Sequence, residues 1–348
     1  MYYLSFPDLG IKPFHIDKVA FTIFGHDIAW YGILITLGMI IAVIYALHLA
    51  KFEKISSDDI IDLALCVIVF GVIGARLYYV LFSLDQINYL VSDGSFWHNL
   101  WKTFVNVIAI WEGGLAIYGG IIAGLISACV FAKVKKIDML KIFDILVPCV
   151  LIGQIIGRWG NFINVEAYGG ETDSVFRMGI LYSFSGNGVE TGIWDIEKYV
   201  HPTFLYESVW NLIGLIFVFI FYKKKKFNGQ VFCSYLIWYG FGRMLIEGLR
   251  ADSLYLGPIR ISQLVGLVSC ITGVVLLVIL SKKALKKHKE SEKYTEAFDV
   301  DGKKALSGVS VNAETNHDKN ITTEEKQENG TLDYEKNETD SDNNREEK

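Results

Sequence analysis

Residues 157–166 read Gly-Arg-Trp-Gly-Asn-Phe-Ile-Asn-Val-Glu and follow directly on an apolar run. A guanidinium offers a planar fork of donors that suits a phosphate, and asparagine amides can hold ester or glycerol oxygens. A lone arginine there would read as a helix end snorkelling to headgroups. Arg158 together with Asn161, Asn164 and Glu166 reads as a site. A second motif runs from Tyr239 through Gly240, Phe241 and Gly242 to Arg243 and Glu247. Arg243 and Glu247 are four apart, so on a helix they share a face and can pair. Two readings stay open there: an ion pair that merely eases insertion, or a working guanidinium. A third motif is Trp111-Glu112-Gly113-Gly114, followed by Tyr118-Gly119-Gly120. Paired glycines mark irregular backbone, tolerated in a membrane only where protein or water covers it. By position alone, Tyr118 reads as an aromatic of the interfacial belt.

These polar groups stand out because of where they lie. Segments 28–47, 113–132 and 261–281 carry no charge, and each is long enough to cross a bilayer core of roughly 30 Å. Charged residues make up only 20% of the 348, and mean hydropathy is +0.33. Such runs exclude a soluble enzyme, and their length excludes the short alternating strands of an outer-membrane barrel. A charge at mid-bilayer costs about 2.5–3.5 kcal/mol, so such groups face partners or a wet cavity. Arg76, Glu112, Asp144, Arg158, Glu166, Glu207, Arg243 and Glu247 form this set. Arg76, Arg158, Arg243 and Glu247 are expected at one depth. Asp144, nearer the other end of its span, reads as a packing or gating contact rather than a catalytic group, and His201, which could be a base, reads with Pro202 first as a structural helix entry.

The elements that position these groups are expected to be all-α. Seven spans fall near 28–50, 59–82, 104–132, 138–157, 203–222, 229–249 and 261–281. Lysine clusters follow the odd spans only: Lys51 and Lys54, then Lys133 to Lys136, then Lys223–Lys226, then Lys282 onward. The positive-inside rule puts those ends in the cytoplasm, the N-terminus outside and the C-terminus inside. Gly120–Gly124 and Gly153–Gly157 are GxxxG pairs, read as helix-packing faces. Domain 1–284 is therefore a seven-helix transmembrane unit. Segment 285–348, with 11 basic and 17 acidic residues and few aromatics, reads as a disordered cytoplasmic tail. The first ten residues lack the basic start and small-residue cleavage site of a removable signal peptide. Five scattered cysteines read as buried thiols, and no basic footprint for nucleic acid is present.

The signature at 157–166 resembles that of the bacterial prolipoprotein diacylglyceryl transferases. Trp30-Tyr31-Gly32, Trp111-Glu112-Gly113-Gly114, His201-Pro202 with Leu205-Tyr206-Glu207, and Tyr239 through Arg243 to Glu247 are similar to that family in the same order. The likeness covers about residues 1–282. It implies transfer of the diacylglyceryl group from phosphatidylglycerol to the lipobox cysteine thiol of a preprolipoprotein, with a thioether formed and glycerol-1-phosphate released. It implies a multi-pass plasma-membrane protein with its site facing outward, and no metal or cofactor. By the same resemblance Arg158 holds the headgroup, Arg243 meets the phosphate or leaving group, and Glu247 orients Arg243. Asn161 and Glu166 line the pocket, Gly169 closes the signature, and Tyr31 and Tyr239 belong to the site. One position departs. Many members carry His-Gly-Gly, with that histidine proposed as the thiol's base, where this chain has Tyr118-Gly119-Gly120. Phenol, with a pKa near 10, is a poor base at neutral pH unless a cation lowers it. Either Tyr118 is so tuned, or the arginines stabilise a thiolate directly.

Two other classes fit bilayer-depth arginines: a lipid-binding or transport protein without chemistry, and a fold built on a structural ion-pair network. The matched, broken halves common among transporters are not visible in the sequence.

Overall fold

The computed structural model describes residues 2–83, 95–110, 113–182, 195–251, 253 and 255–313. Eight helices are described: α1 (Trp30–Glu53), α2 (Ser57–Phe82), α3 (Phe96–Ile108), α4 (Ile117–Val134), α5 (Met139–Asn164), α6 (Thr203–Phe221), α7 (Gln230–Glu247) and α8 (Ile261–Ala313). Local signals set their ends. Ser56 Oγ accepts from Asp59 N at 3.0 Å and caps α2, whose first turn carries Asp58 and Asp59 against the positive helix end. Asp138 caps α5 through Leu140 N, and Lys54 in a left-handed conformation closes α1. Six helical segments are long and apolar enough to cross a membrane, among the described residues: Trp30–Glu53, Ser57–Phe82, Ile117–Val134, Met139–Asn164, Thr203–Lys224 and Ile261–Ser291. Their outward faces carry large apolar side chains such as Ile44, Leu65, Phe70, Ile126 and Phe219, the arrangement lipid requires.

The sequence expectation is corrected in five places. The span expected at 104–132 is two helices, because Gly113 and Gly114 adopt φ +86° and +65° and break it. The short α3 is amphipathic, with Trp97, Trp101 and Phe104 outward, as in a helix lying along an interface. Glu112 lies outside the described residues. The span expected at 229–249 is helix α7, but its arginine and glutamate keep it off the set of strongly apolar spans. Strands accompany the helices. An antiparallel sheet of order β2-β1-β5-β6 joins β1 (Tyr2–Phe6), β2 (Ile11–His15), β5 (Met178–Tyr182) and β6 (Asp195–Val200). Two hairpins, β3 (Val19–Ile23) with β4 (His26–Ala29) and β7 (Tyr255–Leu256) with β8 (Ile259–Arg260), flank α1 and α8. These strands are too short to compete with the neighbouring spans in a hydropathy reading. Helix α8 runs on to Ala313 through lysine- and glutamate-rich sequence that favours helix, where disorder is expected from 285. Finally, Gly153 and Gly157 face no neighbouring atom within 4 Å; the Gly120–Gly124 pair does face α2, as expected.

Residues 1–287 form one compact unit, and the described residues beyond them fall to a second. Within the first unit, α2 and α4 approach through Gly74 and Gly119, where any Cβ would overlap the opposite backbone. Helices α7 and α8 do the same at Gly240 and Gly266. Helices α6 and α7 are joined by a reciprocal pair: Trp210 Nε1 donates to Trp238 O and Trp238 Nε1 to Trp210 O, each at 3.1 Å, with the indoles stacked at 4.4 Å. The sheet core of Leu4, Phe6, Met178, Ile180 and Val200 packs on Phe162 at the end of α5 and Phe204 at the start of α6. The opposite end of the bundle is held by a buried cation. Lys225 Nζ lies 2.6 Å from Glu53 and 2.8 Å from Asp144, and Asp144 also accepts from the backbone N–H groups of Gly229 and Phe232 at the start of α7. Asp144 is thus the packing contact the sequence suggested.

Arg76 does not join the other arginines. It donates to the carbonyls of Asn106 (2.8 Å), Val107 (2.9 Å), Gly113 (2.8 Å) and Gly114 (3.2 Å), and so closes the broken turn between α3 and α4. Arg76→Met strands those carbonyls, and each buried unmade bond costs roughly 1–3 kcal/mol. Thermal unfolding in detergent is expected to shift down sharply for Arg76→Met and to recover only partly in Arg76→Lys, since one ammonium cannot span the fork. Wild-type stability in Arg76→Met would show that the break is held by other contacts.

Candidate functional site

The signature occupies the last two turns of α5, which runs on to Asn164. Arg158 and Asn161 therefore share a face, and Arg158 Nη1 donates to Asn161 Oδ1 at 3.2 Å. Asn161 Nδ2 passes the contact on to Glu166 Oε1 at 2.8 Å, and Asn164 Nδ2 reaches the same oxygen at 3.3 Å. The chain turns sharply here: Val165 and Ala167 hold φ +53° and +57°, unfavourable for a β-branched residue and for alanine. That turn brings Glu166 back over the end of α5 at an exposed position.

Glu207, buried in the second turn of α6, is the centre of the site. Its carboxylate lies 2.5 Å from Arg158 Nη2, 3.0 Å from Arg243 Nη1 and 3.8 Å from Arg250 Nη1. Glu247, also buried, lies 2.7 Å from Arg243 Nη2 and 3.9 Å from Arg250 Nε. Arg243 Nη2 also donates to Ser262 at the start of α8, and Arg260 donates to the Glu247 carbonyl. The side chains of Arg158, Arg243 and Arg250 are 18%, 15% and 12% exposed, so solvent screens them little. Arg158 from α5 and Arg243 from α7 thus converge on one buried carboxylate in a poorly solvated place, with Glu247 and Arg250 beside them. An arrangement of this kind can bind an anion that takes over part of the role of Glu207.

Aromatic rings wall the cluster. Tyr31, in the first turn of α1, packs against Gly160, where a Cβ would overlap the ring, and lies within electrostatic reach of Glu166 and Arg158. Tyr239 is within the same reach of Arg243, Glu207, Arg158 and Tyr118, and it stacks on Tyr235 at 5.5 Å. Trp159 donates to Ser208 and packs edge-on against Phe162 and Phe204. Gly169 acts through its backbone. It donates to His201 O and bridges to Arg250, and a side chain there would collide with His201 and Leu249. His201 Nδ1 contacts Tyr206 OH at 3.3 Å, and desolvation lowers its pKa from the ordinary 6.5, so it is neutral at pH 7.

Every sequence-derived site residue thus falls in or around one cluster: Arg158, Asn161, Glu166, Tyr31, Arg243, Glu247 and Tyr239 directly, Gly169 through backbone and Tyr118 at its edge. Glu207 is visible in the sequence as a polar group at depth and as the end of the Leu205-Tyr206-Glu207 motif, with no role attached, and Arg250 is not singled out. Charge arithmetic points to the first, because two arginines from different helices converge only around a shared anion. Arg250 lies just beyond α7, where a basic residue reads as an ordinary membrane-edge charge. Among the described residues no three His, Cys, Asp or Glu side chains are grouped as metal ligands.

Comparison with known proteins follows this geometry. The prolipoprotein diacylglyceryl transferase family matches residues 18–279. A phosphatidylglycerol–prolipoprotein diacylglyceryl transferase of Finegoldia magna is 45% identical over 272 residues, which cover 78% of this chain and 98% of the relative. Proteins of that name from Clostridioides difficile and, with the suffix 1, Clostridium perfringens are each 41% identical, over 77% and 79% of this chain and 97% and 98% of theirs.

Removing Glu207 leaves buried guanidiniums facing one another. Breaking a buried pair in this way costs about 3–5 kcal/mol. Glu207→Ala is expected to lose that much in denaturant titrations of the micellar protein, and Glu207→Ala with Arg243→Met to lose less than the two single losses added together. Strict additivity would contradict the shared-anion geometry.

Proposed function

The chain belongs to the prolipoprotein diacylglyceryl transferase family, and on that basis we propose that it transfers diacylglyceryl from phosphatidylglycerol to the lipobox cysteine of a preprolipoprotein. The observation that carries the reading is the convergence of Arg158 and Arg243 on the buried Glu207. A phosphodiester entering the cluster accepts from Arg158 and Arg243 in bidentate fashion and displaces Glu207 from part of its contacts. Asn161 holds glycerol oxygens beside Arg158, and Glu247 keeps the Arg243 fork aimed. Tyr31 and Tyr239 wall the headgroup. Gly153 and Gly157, bare of neighbours within 4 Å, leave a strip of α5 that leads to Arg158 and gives room to acyl chains.

The proposed chemistry is a displacement at carbon. The cysteine sulfur forms a bond to the glyceryl methylene, the carbon–oxygen bond to phosphate breaks, and its electron pair leaves on the phosphate oxygen. The products are a thioether and glycerol-1-phosphate, with the thiol proton passing to the phosphate or to water. Free cysteine, with a pKa of about 8.5, is already a few per cent thiolate at neutral pH, and adjacent guanidiniums raise that share. The same guanidiniums meet the charge that grows on the leaving phosphate, so stabilisation rather than a dedicated base supplies the rate. Tyr118 then needs no proton-abstracting role.

The sidedness of the reading rests on lysine distribution. Helix α7 serves as the seventh crossing, with the N-terminus outside, the 285–348 tail in the cytoplasm and the arginine cluster toward the outer face of a bacterial plasma membrane. The transmembrane unit 1–284 carries the activity.

Mass spectrometry of a lipobox peptide incubated with the purified protein and phosphatidylglycerol is expected to show the added diacylglyceryl mass; an unmodified peptide would favour a lipid-binding protein without chemistry. Arg158→Ala is expected to abolish the addition while the protein still inserts and folds, and normal turnover would remove Arg158 from the mechanism. Tyr118→Phe is expected to keep near-normal activity from pH 6 to 9. A large loss that grows toward neutral pH would instead identify Tyr118 as the base.

A further inference from the structure

The end of the bundle remote from the arginine cluster carries a feature the transferase reading does not use. Between the close of α6 and the start of α7 lies a cavity of about 130 Å³. Its apolar side is built by Phe217, Phe221 and Val231, and its polar side by Lys224, Gln230 and Ser234. Phe217 and Phe221 are 50% and 44% exposed, so the cavity opens sideways, where lipid would lie. Ile213, Phe217 and Phe221 are spaced by four and form an exposed apolar stripe along α6 that ends at this opening.

The rim is strongly cationic. Of the four consecutive lysines, Lys225 is neutralised by Glu53 and Asp144. Lys223, Lys224 and Lys226 have no carboxylate partner among the described residues. Lys224 lies over the Phe221 ring at 5.5 Å, which holds its ammonium near the apolar wall, while Lys223 lies over the Phe52 ring of α1 at 4.4 Å, off the cavity lining. Gly229 packs against Leu280 of α8, so Lys282 and Lys283 begin just beyond that contact and add to the same field. Of the nearby carboxylates, Asp144 and Glu53 are occupied with Lys225, Tyr222 and the first N–H groups of α7, and Asp138 with Asn228 Nδ2 and Leu140 N.

We propose that this cavity is a binding site for an anionic phospholipid, distinct from the arginine cluster. The phosphate lies at the mouth against Lys224, with Lys226 in the adjoining loop and the Gln230 amide N–H as donor, and the first methylenes enter the cavity; Ser234 Oγ already donates to the Gln230 carbonyl, and Gln230 Oε1 accepts from Lys226 N. The chain then follows Phe217 and Ile213. A zwitterionic lipid brings its own ammonium to the lysines and is disfavoured. A basic pocket between helices recognises headgroups in this way, beyond the general attraction of surface lysines. On the sidedness proposed above, the lipid comes from the inner leaflet.

The test is photolabelling in nanodiscs of phosphatidylcholine. The probe is phosphatidic acid with a diazirine early in one acyl chain, compared with the matching phosphatidylcholine probe. Labelling is read by peptide mapping at residues 213–234, apart from Arg158 and Arg243. The phosphatidic acid probe is expected to label this segment several-fold more strongly than the phosphatidylcholine probe. Lys224→Ala with Lys226→Ala is expected to cut that labelling at least about fivefold. Lys133→Ala with Lys136→Ala, two lysines off the cavity, is expected to leave it unchanged. Equal labelling by both probes, or the same loss in both double variants, overturns the site in favour of diffuse attraction. The readout is independent of diacylglyceryl transfer, so failure of either proposal leaves the other standing.

Discussion

One buried carboxylate organises the molecule. Glu207 faces Arg158 from α5, Arg243 from α7 and, at longer range, Arg250 from the segment beyond α7. Guanidiniums from separate helices do not approach one another in a poorly solvated place unless an anion lies between them. The glutamate therefore allows the two guanidiniums to lie together in the fold with no ligand between them. The proposed chemistry uses this same property: a phosphate takes a position the fold has already prepared.

Two other polar assemblies keep that cluster in register. At the far end of the bundle, Lys225 draws Glu53 of α1 and Asp144 of α5 together, while Asp144 caps α7. Within the bundle, the reciprocal indole-to-carbonyl pair of Trp210 and Trp238 fixes the pitch of α6 against α7, less than one helical turn beyond Glu207. Hydrophobic burial cannot set such registers in lipid, where an apolar side chain loses nothing by facing outward. Directional bonds and close approach through small residues do so instead.

Much of this was legible in the sequence, for a physical reason. A charged side chain in an apolar run is expensive, so Arg158, Arg243 and Glu247 could not be accidental, and they do converge. Arg76 carried the same signal but serves the backbone. Nothing in its spacing reveals that four carbonyls around Gly113 and Gly114 wait for its fork. The broken helix between 104 and 132 was hidden because glycine is as tolerable to a hydropathy window as alanine, while its left-handed φ is not visible there. The sheet escaped because its strands are only five or six residues long and its two local pairs are joined through β1 and β5, more than 170 positions apart. Glu207 was visible as a charge at depth; its partners lay on helices whose rotation no spacing rule supplies.

The central claim is that the Arg158 and Arg243 guanidiniums share a phosphate that competes with Glu207. An experimental structure of the protein in lipid with phosphatidylglycerol present tests it most directly. The account predicts the phosphate within hydrogen-bonding distance of both arginines, with at least one Glu207 contact lengthened beyond 4 Å. A headgroup held elsewhere, with Glu207 still closed on both arginines, would contradict it.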